Sequence, residues 1–206
     1  GCIKGDGDPM NPDNWEMIGQ VQRVPGDSAF TIFSLDMNYF ESDGKHYVTW
    51  AEKPNNISNI YIATIDPEAP WQLTSEAVML STPQYTWERK GGTIINEGSA
   101  TFKKDGKIYI SFSAAAVDES YCVGLLVADE GADLLDVNSW TKFSYPLLTT
   151  FDLVDQYGPG HNSFTVDSYG NPLLVYHARP TDCGLGQCEY SRSSDLNDPC
   201  RHARVK

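Results

Sequence analysis

Three turn glycines, Gly44, Gly106 and Gly170, punctuate the chain at steps of 62 (44 to 106) and 64 (106 to 170) residues. Asp43-Gly44 leads into Val48-Thr49-Trp50-Ala51, Asp105-Gly106 into Ile110-Ser111-Phe112-Ser113, and Tyr169-Gly170 into Leu173-Leu174-Val175-Tyr176. Each is a hairpin signal followed by a strongly β-prone run, because aspartate and glycine tolerate the positive φ of a tight turn. A short strand is predicted before each turn, over 35–40, 99–102 and 163–166. Further strands follow the first two hairpins, at 57–65 with 71–73 and at 122–128 with 140–143. About four strands in roughly 60 residues is the unit of a β-propeller blade. A Greek-key sandwich would not explain the period. Long amphipathic helices are not expected, with 132–136 at most a single turn.

The chain of 206 residues is expected to be one partial propeller domain over 1–206. It holds about two complete units and pieces of two more, whereas propellers close with about four to eight blades. A fragment with exposed edges is therefore expected, unless another segment supplies the missing blades. The composition, 40% hydrophobic and 12% aromatic, supports a real core. A net charge of −13 argues against nucleic acid or an anionic membrane as partner. No apolar run reaches the roughly 18 residues of a membrane span.

Polar residues recur in step with the turns. Asp36 lies 8 before Gly44 (44 − 36), Glu97 lies 9 before Gly106, and His161 lies 9 before Gly170. The first strand of a blade lines the propeller axis, so two carboxylates and a histidine should converge on one central pocket. That set suits acid–base chemistry or metal binding. Taken singly, the acids would more simply cap strands; three in phase favour function. His161 sits in Tyr157-Gly158-Pro159-Gly160-His161-Asn162-Ser163-Phe164, whose glycines and proline force a tight backbone ahead of a strand.

Several segments carry a family resemblance. Asn96-Glu97-Gly98, Tyr121-Cys122-Val123-Gly124-Leu125-Leu126, Ser139-Trp140-Thr141-Lys142, the 157–164 run, Val175-Tyr176-His177-Ala178-Arg179 and Arg201-His202-Ala203-Arg204 are similar, in order, to glycoside hydrolase family 43. The closest similarity is to its arabinofuranosidase-type members. The resemblance implies an all-β, five-bladed propeller, here incomplete at about three to three and a half blades. It implies an inverting glycosidase acting on arabinan or arabinoxylan of the plant cell wall, and hence a secreted protein. β-Xylosidase shares every motif named here, and a carbohydrate-binding fragment without turnover is the reading from another class. By motif, Glu97 matches the general acid, Asp36 the aspartate that tunes it, and His161 a channel histidine beside a structural Ca2+. Arg201 matches a substrate-contacting arginine. Trp87 has two readings, a sugar-stacking platform or a loop anchor in the core between blades.

The residue types fit that reaction. Inversion needs one protonated carboxyl and one carboxylate that activates water, about 6.5–9.5 Å apart. A neighbouring aspartate is expected to raise the Glu97 pKa by like-charge repulsion. The family's general base is not found in this chain. Asp8-Pro9 copies its Asp-Pro pair but lies only 28 residues before Asp36 (36 − 8), and Asp8 is read as loop. Ser99 stands where the family usually has proline, which is expected to loosen the backbone after the acid. Cys183 and Cys188 could close a small disulfide loop, with Cys200 nearby, or be free thiols; an odd total of five cysteines and no paired histidines make zinc the weaker reading.

Overall fold

The structure is a computed structural model that describes residues 2–5, 7–180 and 203–204. Its strands are β1 (Cys2–Gly5), β2 (Trp15–Gly19), β3 (Ser34–Ser42), β4 (Lys45–Glu52), β5 (Asn59–Asp66), β6 (Ala69–Leu73) and β7 (Val78–Ser81), followed by β8 (Asn96–Lys104) and β9 (Lys107–Ala114). The chain continues through β10 (Cys122–Asp129), β11 (Thr141–Lys142), β12 (Tyr157–Val166), β13 (Pro172–Arg179) and β14 (Ala203–Arg204). The described residues contain short 3-10 turns and no α-helix, so 132–136 forms none.

The strands pair as antiparallel blades in sequence order: β3-β4-β5-β6 with β7 also on β5, then β8-β9-β10-β11, then β12-β13-β14. A two-stranded ribbon, β1-β2, holds Trp15. The two Asp-Gly turns have both residues at positive φ (49° and 68°, then 52° and 73°), the mirror-image turn that matches strand twist. The third turn differs: Asp167 closes a longer loop, its carboxylate accepting from the Tyr169 and Asn171 amides. In the first blade the outer position is split. The segment 71–73 lies in β6 against the end of β5, while β7 pairs with its start.

Alternation along each middle strand assigns its two faces. Ile108, Ile110, Phe112 and Ala114 of β9 point toward the first blade and pack with Tyr47, Ile60, Ile62, Leu126 and Trp140. Ser111 and Ser113 point the other way, toward the third blade. On β4, Val48 and Trp50 face a second cluster with Ala63, Ile65 and Leu73.

Hydroxyls stitch the blades together. Thr49 of β4 hydrogen-bonds Ser99 of β8 at 2.9 Å, and 62 residues on Ser111 of β9 accepts from Asn162 of β12 at 2.7 Å. Ser99 is buried, and this bond holds the backbone just after Glu97 in place of the expected loosening.

One buried ion pair anchors the start of β8. The Glu88 carboxylate, fully buried, accepts from the amides of Gln84 and Tyr85 at 2.7 Å each and from the Asn96 side chain at 2.9 Å. Lys142 of β11 completes it and also donates to Thr82 O and Asn96 Oδ1. Removing one partner strands a charge in the core, whereas neutralising both does not. Lys142→Met is expected to cost about 3–5 kcal/mol of stability, and adding Glu88→Gln to recover much of it, read as urea-unfolding midpoints.

Candidate active site

The inner strand of each blade carries an extra residue at the same place. Pairing slips between Leu35 and Asn38 in β3, between Glu97 and Ala100 in β8, and between Gly160 and Ser163 in β12. In each bulge one residue takes a left-handed backbone: Asp36 at φ 56°, Gly98 at 59° and His161 at 43°. A bulge re-aims side chains and ends regular pairing. Asp36 and His161 are thus true equivalents, and their counterpart in the second blade is Gly98. Glu97 sits one residue earlier, opposite Ser113, as Leu35 sits opposite Ala51. The three predicted residues do meet, but by an offset that counting back from the turns placed one residue out.

Asp36 Oδ2 accepts from the Gly98 amide at 3.1 Å, gripping the peptide that follows Glu97. Its Oδ1 lies 3.8 Å from His161 Nε2. Gly98 must be small as well as left-handed, since a β-carbon there would stand 3.3 Å from His161 Nδ1. Glu97 Oε1 accepts from the Tyr121 hydroxyl at 2.8 Å. Burial is the first cause holding the Glu97 carboxyl above its ordinary range; the Tyr121 bond opposes it, and Asp36 adds to it. The expected like-charge effect is present but secondary to desolvation. His161 and Lys53 pull in the opposite direction. Tyr121 is itself pushed up, by burial and then by Glu97, so it stays a hydroxyl donor.

Trp87 packs against the core cluster. Its indole stacks with Tyr85 and Phe112, packs on the core between blades, and donates to Ser144 O at 3.0 Å. These contacts are the ones the loop-anchor reading expects. Asp8 is an exposed loop residue whose carboxylate accepts from the Met10 amide, as read. Arg201 and Cys183, Cys188 and Cys200 lie outside the described residues. Calcium takes about 6–8 oxygen ligands. His161 offers nitrogen, and the described residues contain no group of three or more His, Cys, Asp or Glu side chains able to hold a metal. Those side chains do not by themselves form a calcium cage.

Tyr121, Ser113 and Lys53 were not singled out from the sequence. Tyr121 opens an apolar strand, where a tyrosine reads as core; its contact with Glu97 spans 24 residues.

Against known proteins, residues 12–204 match the pattern of Glycosyl hydrolases family 43. The chain belongs to glycoside hydrolase family 43. It is 41% identical over 167 residues to an extracellular exo-alpha-(1->5)-L-arabinofuranosidase of Streptomyces chartreusis, covering 80% of this chain and 49% of that protein. It is 36% identical over 208 residues to alpha-L-arabinofuranosidase B of Pyricularia oryzae, covering 98% of this chain and 40% of that one. The chain thus spans less than half the length of these relatives. The crystal structure of an alpha-L-arabinofuranosidase from Lactobacillus brevis superposes with a TM-score of 0.80 at 38% identity, over 99% of this chain and 60% of that one. The fold is accordingly part of a five-bladed β-propeller.

The raised Glu97 pKa has a stability consequence. A carboxyl that binds its proton more tightly folded than unfolded stabilises the fold at low pH, and that contribution is lost as pH rises through the folded pKa. Glu97→Gln does not titrate. Its melting temperature relative to wild type should be flat below about pH 4, near the unfolded glutamate value, and should climb as pH rises above it. A thermal-melt series from pH 3.5 to 7.5 checks this; a falling difference would mean that hydrogen bonds to the carboxylate outweigh its burial.

Proposed function

We propose that this chain carries the general-acid half of an inverting α-L-arabinofuranosidase site, with Glu97 as acid and Asp36 as its tuning and orienting partner. The observation that carries the reading is Glu97 itself: a half-buried carboxyl whose burial raises its pKa above the ordinary range, beside an aspartate that grips the next peptide. A proton donor to a leaving sugar oxygen needs that state near working pH. The names of the relatives at 36–41% identity favour arabinofuranose over xylose as the sugar released; arabinan or arabinoxylan as the polymer is taken from the family resemblance. Two relatives are named extracellular, which supports secretion. His161, half exposed beside Asp36, is assigned a sugar contact, which its exposure supports, and Arg201 is kept as a substrate contact on its motif alone.

A second reading rests on a specific observation. The carboxylates brought to the bulges are Asp36 and Glu97, and both have roles other than activating water. Without a base the chain would bind the sugar with little turnover. Hydrolysis by the unaltered chain supports the first reading and sugar binding without hydrolysis the second; given hydrolysis, the acid is tested by leaving group. A general acid matters most when the departing oxygen is a poor leaving group, so Glu97→Gln should cut hydrolysis of an α-1,5-linked arabinobiose by about 10²–10⁴-fold. Hydrolysis of p-nitrophenyl α-L-arabinofuranoside should fall far less. Equal losses on both substrates would remove the acid assignment, and faster turnover of the β-D-xyloside would replace the pentose.

A further inference from the structure

The Glu97 carboxyl is held by a line of hydrogen bonds whose donor directions are fixed by chemistry. The His161 backbone N–H can only donate, and it does so to Ser113 Oγ at 2.6 Å. Ser113 therefore keeps its own hydrogen free to face the Tyr121 oxygen, and its side chain stands close enough to favour the ionised form of that phenol. Tyr121 in turn donates to Glu97 Oε1 at 2.8 Å. Ser113 and Tyr121 are both buried, at 0% and 2% exposure, so no water competes for these bonds.

The third blade is shaped around the Tyr121 ring. A β-carbon on Gly160 would stand 2.2 and 2.4 Å from two ring carbons, so a side chain there would drive the tyrosine off the acid. Gly160 O is hydrogen-bonded to His177 Nδ1 at 2.8 Å, and a carbonyl only accepts, so that nitrogen carries the hydrogen. The His177 ring then meets Tyr121 edge-on, 5.9 Å between centroids. The blade repeat alone does not ask for this arrangement: the residue that faces Leu35 as Ser113 faces Glu97 is Ala51, without a hydroxyl.

We infer that Tyr121, aimed by Ser113 and seated against Gly160 and His177, is the positioning residue that fixes the direction of the Glu97 carboxyl. The inference rests on the reading of Glu97 as the acid. With Oε1 occupied as an acceptor, the acidic proton belongs on Oε2, so the carboxyl presents a single proton-bearing oxygen to the leaving group. The same bond favours the ionised form and offsets part of what burial does. The other charged groups facing Glu97 are Asp36, His161 and Lys53, and Tyr121→Phe changes none of them.

The test is a carbon-13 NMR titration of the glutamate carboxyls in this chain, with Glu97→Gln identifying the resonance. In Tyr121→Phe the Glu97 titration should move up by about half a pH unit or more, the loss of one buried hydrogen bond. Ser113→Ala should move it in the same direction by less. In hydrolysis of an arabinofuranoside, Tyr121→Phe should lower kcat with little change in KM and carry the basic limb of the pH profile upward. A merely structural tyrosine would lower the melting temperature and leave that limb in place. An unmoved Glu97 titration in folded Tyr121→Phe overturns the inference; if that variant does not fold, an unmoved titration in Ser113→Ala does so. A titration that moves while neither Tyr121→Phe nor Glu97→Gln alters hydrolysis supports the positioning role and removes Glu97 as the acid.

Discussion

The site depends on one backbone device, the left-handed bulge repeated in three successive inner strands. At Asp36, Gly98 and His161 the chain inserts a residue, turns through positive φ and breaks its regular pairing. Non-glycine residues are rare in that region, and aspartate and histidine are among those that enter it most readily. Three equivalent distortions bring Asp36, the peptide between Glu97 and Gly98, and His161 together. Asp36 then reaches the Gly98 amide of the next blade, and Gly98 leaves room for the imidazole of the one after. The bulges place the functional groups and also tie neighbouring blades together.

Around the bulges, polar interactions carry more of the specificity than the apolar core does. The large cluster between the first two blades is buried and apolar, and it would tolerate many apolar exchanges of similar size. The pairs Thr49 with Ser99 and Ser111 with Asn162 cannot slide without leaving a buried hydroxyl or amide unpaired. Glu88 and Lys142 act likewise at the root of β8, one residue before the acid strand delivers Glu97. Misplacing β8 by one residue would break all of these at once.

Within the site, Glu97 and Asp36 differ because their surroundings differ. Glu97 loses water and gains one donor, and its proton is held more tightly. Asp36 receives a backbone amide and has an imidazole near its second oxygen. Two carboxyls are thereby given unlike surroundings and unlike tasks: burial raises the pKa of one, and the other holds the peptide of the next blade.

The period of the turn glycines, the apolar runs after them and the Asp-Gly dipeptides made the blades legible in the sequence, because hairpin turns and alternating strands are local properties. The in-phase acids and histidine were legible for the same reason, to within one residue. The bulge offset that makes Gly98, not Glu97, the partner of Asp36 and His161 was not, since register is set by pairing with the neighbouring strand. Nor was the role of Trp87, whose ring is claimed by Tyr85 and Phe112, or that of Ser99, whose hydroxyl finds Thr49 across the blade boundary. Local propensities along the chain are enough to specify the repeat, the order of the strands and the residue types at the inner strands. Tertiary structure decided which of those residues touch, above all that Tyr121, 24 positions from Glu97, donates to it. The physical reason is range: turn and strand propensities act over a few residues, while hydrogen-bond partners and desolvation are supplied by blades that meet only after the chain has folded.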